Sequence, residues 1–393
     1  MARVVSGAGC WEVLLEWIRR TADPGGRVAL VTGERIFQRG GAAAALAGEI
    51  LAGSPGSPHF RVGGEPDDRL VDRMVKAVRR TGGAAAVVSV GGGSALDAGK
   101  ALAAMLCEEG DTMDFLEGVG TCKPSGRMLP WFAAPTTAGT GSEATTNAVL
   151  SRPGLSGFKR SLRHASYRAA GVVLDARLAV GAPALQVAAS GMDAFTQLFE
   201  SWSSRRVPAD LEPWLESALV AAYRALPGAV AAAPDGDHKL TGILLEAAFL
   251  SGVGLTRAGL GTTHGLAGTI GAVSRAPHGI ACARLMGPAI RETLDWLVLH
   301  SDEPPAAAAL EKCRRLGRKL SSDGGDWWNP FYRMAGWARE FGVPPLGIFR
   351  IGRARFERIL QAANDRESPA ALGRAAWERI LHEAIGREAV RGL

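Results

Sequence analysis

Four side chains of types that bind divalent metals stand in the middle of this chain of 393 residues. Asp193 and Gln197 sit at i and i+4 in Gly191-Met192-Asp193-Ala194-Phe195-Thr196-Gln197, a stretch that reads as helix, so both side chains leave one face. His264 follows Thr263, His278 lies within Pro277-His278-Gly279, and glycines flank both. A carboxylate, an amide oxygen and two imidazoles make a mixed N/O set suited to a divalent transition metal. Each pair alone is weak. An Asp-x-x-x-Gln pair on a helix is more often a surface or capping pair, and two histidines at this separation say little by themselves.

The elements that must position this set are read from the rest of the chain. Arg27–Thr32, followed by Gly33, is an apolar run that reads as a buried strand, and Phe60-Arg61-Val62 reads as the next. Asp67–Arg80 places Leu70, Val71, Met74, Val75 and Val78 at helical spacing. Ala84–Val90 is a further apolar run with glycines directly after it. Strand, helix, strand, glycine-rich turn and helix predict a parallel α/β unit.

In Gly91-Gly92-Gly93-Ser94-Ala95-Leu96-Asp97 the three glycines would let backbone approach a phosphate. Ser94 would start a helix, and Asp97 would complete a capping-box-like pattern. Amides and dipole at such an N-terminus favour a pyrophosphate. This is not the Gly-x-Gly-x-x-Gly fingerprint, and alone it is more often a tight turn. A second apolar stretch, Met128–Ala134, leads into a run whose Thr136, Thr137, Thr140 and Ser142 would set hydroxyls and amides beside the same crevice. Two such turns at strand C-termini are where an α/β sheet binds a dinucleotide.

Phe158–His164 is basic. Its Arg160, Arg163 and His164 either bind an anionic group on a substrate or form a solvated loop or hairpin. Gly171–Asp175 reads as a last strand. Beyond Gly181-Ala182-Pro183 the strand-like runs stop, and Leu211–Leu226, Ala306–Leu320 and Ala370–Ile385 read as long helices. The expected division is therefore an α/β dinucleotide-binding domain over 1–182 and a helical metal-binding domain over 183–393. His59, His238, His300 and His382 have no chemical context and are expected to be solvated.

The formal net charge is +6, yet the arginines are spread through helical patterns and not bunched in a tail. A solvated Arg-rich surface is the plainer reading, with an anionic substrate or cofactor as the other, and no nucleic-acid motif is present. Five cysteines without CxxC spacing, in odd number, point to a reduced, cytoplasmic protein. No run of ~18 uncharged apolar residues predicts a membrane span.

Three motifs, Gly91–Asp97, Pro135–Glu143 and the metal segment, occur in the order seen in the iron-containing (group III, metal-dependent) alcohol dehydrogenases, and the chain resembles that family over nearly its whole length. The resemblance implies an N-terminal Rossmann-like parallel-sheet domain followed by an all-α domain, the dehydroquinate synthase-like architecture. It implies a divalent metal, Fe²⁺ favoured with Zn²⁺ as the alternative, held by Asp193, His264 and His278. At position 197 the family has His and this chain has Gln197; where the family often has a further, proton-relaying His, this chain has Gly268. The first glycine turn would hold the pyrophosphate, the second would contact the adenosine and nicotinamide ends, and Lys159 matches a family lysine near the cofactor. Members that prefer NAD often carry an acidic residue where Gly33 stands. Gly33 leaves room and Arg35 could meet a 2′-phosphate, so NADPH is expected; Glu34 keeps NADH as the alternative.

The implied reaction passes a hydride between nicotinamide C4 and a carbonyl carbon in a cleft between the domains, with the metal polarising the oxygen. The substrate class is a small aldehyde. The basic segment favours an anionic one, and the family's phosphonoacetaldehyde reductases, which make 2-hydroxyethylphosphonate in phosphonate biosynthesis, suggest the best single candidate. A metal-free maleylacetate-type reductase, favoured by Gln197, and a dehydroquinate-synthase-like lyase or cyclase are the alternatives. Relatives are commonly dimers or larger, so a homo-oligomer is expected.

Overall fold

A computed structural model describes residues 3–22, 26–321, 324–365 and 367–386. The chain gathers into two compact units: Met1–Arg152, Lys159–Ala182 and Ala232–Gly252 form the first, and Pro153–Phe158, Pro183–Ala231 and Val253–Leu393 the second.

The first unit is built on strands β1 (Arg3–Ser6), β2 (Val28–Gly33), β3 (His59–Val62), β4 (Ala86–Gly91), β5 (Trp131–Pro135), β6 (Asn147–Arg152), β7 (Phe158–Arg163) and β8 (Gly171–Leu174). Six of them make one sheet in the order β1-β8-β5-β4-β2-β3, and β6 and β7 pair separately. Every pairing in the large sheet is parallel. Parallel strands are covered on both faces, which is why β2, β4 and β5 are near-continuous apolar runs and almost wholly buried. Helices α1 (Trp11–Thr21), α2 (Ile36–Arg39), α3 (Gly41–Gly53), α4 (Asp68–Arg80), α5 (Gly93–Met105) and α6 (Ala176–Ala179) accompany these strands. Asp67 caps α4 by accepting from the Leu70 amide at 2.7 Å.

From β2 the chain steps outward to β3, then returns to β4 and continues to β5 on the other side. The order therefore reverses between β2 and β4. In such a sheet the crevice beyond the C-terminal strand ends at the reversal is the ligand-binding place. Here those ends are Gly33 and Gly91.

The second unit is mostly helical: α7 (Ala184–Ser203), α8 (Glu212–Ala231), α10 (Thr262–Val273), α11 (His278–Leu299), α12 (Pro304–Leu320), α13 (Asn329–Glu340), α14 (Arg353–Ala362) and α15 (Arg374–Ile385). The remaining helix, α9 (His238–Ala258), begins in the first unit and ends in the second. By length and composition alone α9 is apolar enough to cross a membrane, although it carries Lys239, Glu246 and Arg257. Gly279 lets α11 close on α7, because a Cβ there would stand 3.0 Å from the Ala189 carbonyl oxygen. In the first unit, Gly141 takes φ +60°, and a Cβ on it would collide with the Ala248 carbonyl oxygen of α9; a Cβ on Gly252 would in turn collide with the Gly141 carbonyl oxygen.

Several expectations need correction. The capping box at Ser94 does not form: Gly92 is the N-cap of α5 without a side-chain cap, and Asp97 instead accepts from the Ser142 hydroxyl at 2.6 Å. The last helix starts at Arg374 and not at Ala370, after Gly373 in extended conformation. His59 bonds Thr32 Oγ1 at 2.9 Å, His300 stacks on Trp296 at 4.0 Å and His382 packs on Phe356 at 4.8 Å; of the four histidines expected in solvent only His238 is exposed, and the other three are half-buried.

Candidate functional site

Asp193 projects from the middle of α7, His264 from the first turn of α10 and His278 from the first residue of α11. Asp193 Oδ1 lies 3.3 Å from His264 Nε2 and 3.7 Å from His278 Nε2. A fourth side chain joins them. Cys282 leaves α11 one turn after His278, and its Sγ is 3.6 Å from His278 Nε2. One donor atom from each of the four lies within 4.8 Å of all the others. Asp193 and Cys282 are buried, and His264 nearly so. Gln197 is buried on α7, one turn after Asp193.

Asp193 Oδ1 and His264 Nε2 are buried without a hydrogen-bond partner, since their 3.3 Å approach lacks hydrogen-bonding geometry. An orphaned carboxylate oxygen facing an orphaned imidazole nitrogen costs stability in a closed protein interior unless a cation sits between them. Burial alone would raise the Asp193 carboxyl, but the charges of His278 and His264 pull it down to about 2. Burial works against charge on His264, yet Cys282, Asp193 and Glu200 hold its pKa well above the ordinary imidazole value. The pocket therefore calls for positive charge, and a divalent ion with this donor set fits it.

Glu200 was not foreseen. It sits on α7 two turns after Asp193, and its Oε2 accepts a hydrogen bond from His264 Nδ1–H at 2.7 Å. Its Oε1 accepts from the Thr263 amide at 2.5 Å, closing the open first turn of α10. With Nδ1 held as the donor to Glu200, a cation that displaces the Nε2 proton would meet that nitrogen's lone pair on the Asp193 side, the arrangement that carboxylates give to metal-binding histidines. The i, i+4, i+7 recurrence of Asp193, Gln197 and Glu200 was the available signal.

In the first unit the two glycine- and threonine-rich turns come together. The Thr136 amide donates to the Gly91 carbonyl at 3.0 Å, joining the two turns. A Cβ on Gly91 would stand 3.0 Å from the Gly33 nitrogen, one on Gly92 3.1 Å from Thr137 Oγ1, and one on Gly93 2.6 Å from Thr140 Oγ1. The glycines thus bring β2, β4 and the Thr136–Ser142 run together at the switch point. Ser94 lies in the first turn of α5, where no side chain caps the amides. A Cβ on Gly33 would meet nothing within 4 Å, so the end of β2 is open. Those features suit a pyrophosphate and its sugar.

Beneath the cradle lies a buried charge cluster. Lys100 Nζ donates to the carbonyls of Ser142 at 2.6 Å and Asn147 at 2.7 Å and to Thr145 Oγ1 at 2.7 Å. Burial brings Lys100 down to about 8, lifts Glu143 to about 7 and raises Asp97. Lys100 therefore staples the second turn to α5, a role its position three residues after Asp97 did not reveal.

The basic segment is β7 and the turn after it. Lys159 pairs with Glu65 at 2.7 Å, Arg163 with Glu117 at 2.9 Å, and His164 Nδ1 with the Ser166 hydroxyl at 2.8 Å. Arg160 is exposed beside Gly118. Among the described residues all five cysteines are free thiols, Cys282 and Cys313 buried.

Residues 2–176 match the family model for iron-containing alcohol dehydrogenase, and residues 187–326 match the model for the C-terminal domain of the same family. The chain is 35% identical over 229 residues to the probable alcohol dehydrogenase EutG of Escherichia coli K12, covering 58% of this chain and 56% of that protein. It is 34% identical over 206 residues to the 1-propanol dehydrogenase PduQ of Salmonella typhimurium LT2, covering 52% and 50%. The chain thus spans about half the length of the curated relatives it matches. A sulfoacetaldehyde reductase from Bifidobacterium kashiwanohense, solved with NAD⁺, shares the fold with a TM-score of 0.81 at 21% identity, covering 98% of this chain and 97% of that one. With both family models matched in order over most of its length, this chain belongs to the iron-containing alcohol dehydrogenase family.

Proposed function

We propose that this chain carries out NAD(P)H- and metal-dependent reduction of a small, anionic aldehyde to a primary alcohol, with phosphonoacetaldehyde and its product 2-hydroxyethylphosphonate as the first pair to test. The observation that carries the redox reading is the buried cluster of Asp193, His264, His278 and Cys282 with its two orphaned atoms, in a chain that also forms a glycine-lined cradle at a sheet switch point. When bound, a divalent cation supplies Lewis acidity toward a carbonyl oxygen, and the nicotinamide supplies the hydride.

The protein's own part is positioning and charge. Glu200 locks the His264 tautomer, Asp193 provides a carboxylate held ionised, and Lys100 fixes the turn that lines the cofactor crevice. Gly268 offers no side chain, so the proton that completes the hydroxyl arrives through water, the ribose or another side chain. Preference for NADPH is proposed on the open space at Gly33 with Arg35 close by in sequence; the Glu34 carboxylate folds over Gly63. The anionic substrate rests on Arg160, whose neighbours Arg163 and His164 already have partners, and agrees with the charged aldehyde named for the Bifidobacterium protein. The same reading makes the enzyme a cytoplasmic homo-oligomer with no membrane or nucleic-acid partner, to be checked by cell fractionation and light scattering.

The test follows NADPH and NADH oxidation with phosphonoacetaldehyde and a neutral aldehyde of similar size, with Fe²⁺ or Zn²⁺ and after chelation. Metal-dependent turnover favouring the phosphonate supports the proposal. Full activity after chelation would move the metal-free reductase forward, and tight cofactor binding without turnover would move the lyase forward. Arg160→Ala should raise KM for the anionic aldehyde about twofold to fivefold, the scale of one solvent-exposed charge pair, and leave the neutral one unchanged.

A further inference from the structure

The set implied by the family lacks one imidazole in this chain, because Gln197 stands at that position. A side chain from another helix lies where a replacement is needed. We infer that Cys282 is the fourth metal ligand, so that the site is Asp-His-His-Cys and selects Zn²⁺ over harder ions. This rests on the metal-dependent reading above and goes beyond it by naming the ligand and the metal class.

Three observations carry it. The first is geometry. Around a tetrahedral ion with Zn–N and Zn–O bonds of ~2.0–2.1 Å and a Zn–S bond of ~2.3 Å, neighbouring ligand atoms stand ~3.3–3.6 Å apart. Three of the six separations are 3.3 Å for Asp193 Oδ1 to His264 Nε2, 3.7 Å for Asp193 Oδ1 to His278 Nε2 and 3.6 Å for Cys282 Sγ to His278 Nε2, and all four donor atoms lie within 4.8 Å of one another. The second is polarity. Asp193 Oδ1 and His264 Nε2 are buried and unpartnered within the same cluster as the sulfur. The third is register. His278 and Cys282 are one turn apart on α11, so the helix that delivers the imidazole delivers the sulfur on the same face.

The ligand change has chemical consequences. The Cys282 Sγ–H proton passes to solvent as the sulfur–metal bond forms. Thiolate is soft, whereas the Gln197 amide oxygen is a neutral, hard donor, so sulfur tilts the site toward Zn²⁺ and away from Mg²⁺ or Mn²⁺.

The full-length protein, stripped with chelator and titrated with Co²⁺, tests this by absorption spectroscopy. A sulfur-to-cobalt charge-transfer band in the near ultraviolet, saturating at one Co²⁺ per chain, is expected. Cys282→Ser should abolish the band and weaken Co²⁺ and Zn²⁺ binding by more than the roughly 10–100-fold typical of losing an outer-shell partner. Gln197→Ala should keep the band, and Asp193→Asn should lose tight binding altogether. Stoichiometric Co²⁺ binding without the band in the unaltered protein would overturn the inference and leave the metal-dependent reading standing. No Co²⁺ binding at all would overturn both. The unaltered protein's spectrum decides the matter even if Cys282→Ser fails to fold.

Discussion

Glutamine in place of Glu200 isolates what the carboxylate does for His264. One oxygen accepts from the imidazole Nδ1–H at 2.7 Å and the other from the Thr263 amide at 2.5 Å. Glutamine retains one acceptor, enough for one of these donors, and turns an NH₂ toward the other. A charge-assisted bond is worth roughly 1.5–3 kcal/mol and a neutral one roughly 0.5–1.5 kcal/mol, so the exchange removes about 1–3 kcal/mol of orientation from His264. At 1.4 kcal/mol per factor of ten, metal affinity should fall about 10–100-fold. Competition against a chromophoric chelator, with Zn²⁺ at fixed pH, measures this directly, and far-ultraviolet circular dichroism confirms that the helices persist. A Glu200→Gln protein that binds Zn²⁺ within about threefold of the original would refute the reasoning, because Glu200 would then serve only to close the first turn of α10.

Other parts of the molecule give further expectations. Gly93→Ala sets a Cβ 2.6 Å from Thr140 Oγ1, an overpacking expected to cost about 1–3 kcal/mol in urea denaturation and to raise KM for NAD(P)H, with Thr140→Ala as the relieving partner. Glu143 has its carboxyl raised from 4.5 to about 7 by burial, so the folded state holds the extra proton between those values and stability falls as pH rises from about 4.5 to 7. Glu143→Gln should flatten that fall in denaturation curves taken across the interval, and an unchanged slope would contradict the assignment. Gly268→His places an imidazole one turn after His264, where a Cβ meets nothing within 4 Å, and should raise kcat severalfold with a new pH dependence near 6.5 if proton delivery limits turnover.

Much of the first unit could be read from composition and spacing. Its central strands are apolar throughout because parallel strands are covered on both faces, and glycines mark where β2 and β4 stop. Strand β1 escaped notice because it is short, lies at the sheet edge and is largely exposed. Asp193, His264 and His278 were visible as ligand types in ordered motifs. Glu200, Cys282 and Lys100 were not. Glu200 and Lys100 gain their roles from partners far away in sequence, Glu200 from His264 and Lys100 from Ser142 and Asn147, and Cys282 joins the cluster only because α7 and α10 bring Asp193 and His264 to the start of α11. The Ser94 and Asp97 pair misled for the same reason, because a serine on another turn outcompeted the local bond.

The crossing of Gly141 and Gly252 constrains how this protein's descendants can change. Each glycine occupies the space that the other's side chain would need, one on the threonine-rich turn and one on α9. No single substitution at either position has a neutral route, and replacing both at once would wedge the turn away from the helix. A library that randomises the two codons should therefore return glycine at both among folded clones. Two positions with little freedom to drift beside the threonine-rich turn are thus ones that offer a ligand no functional group.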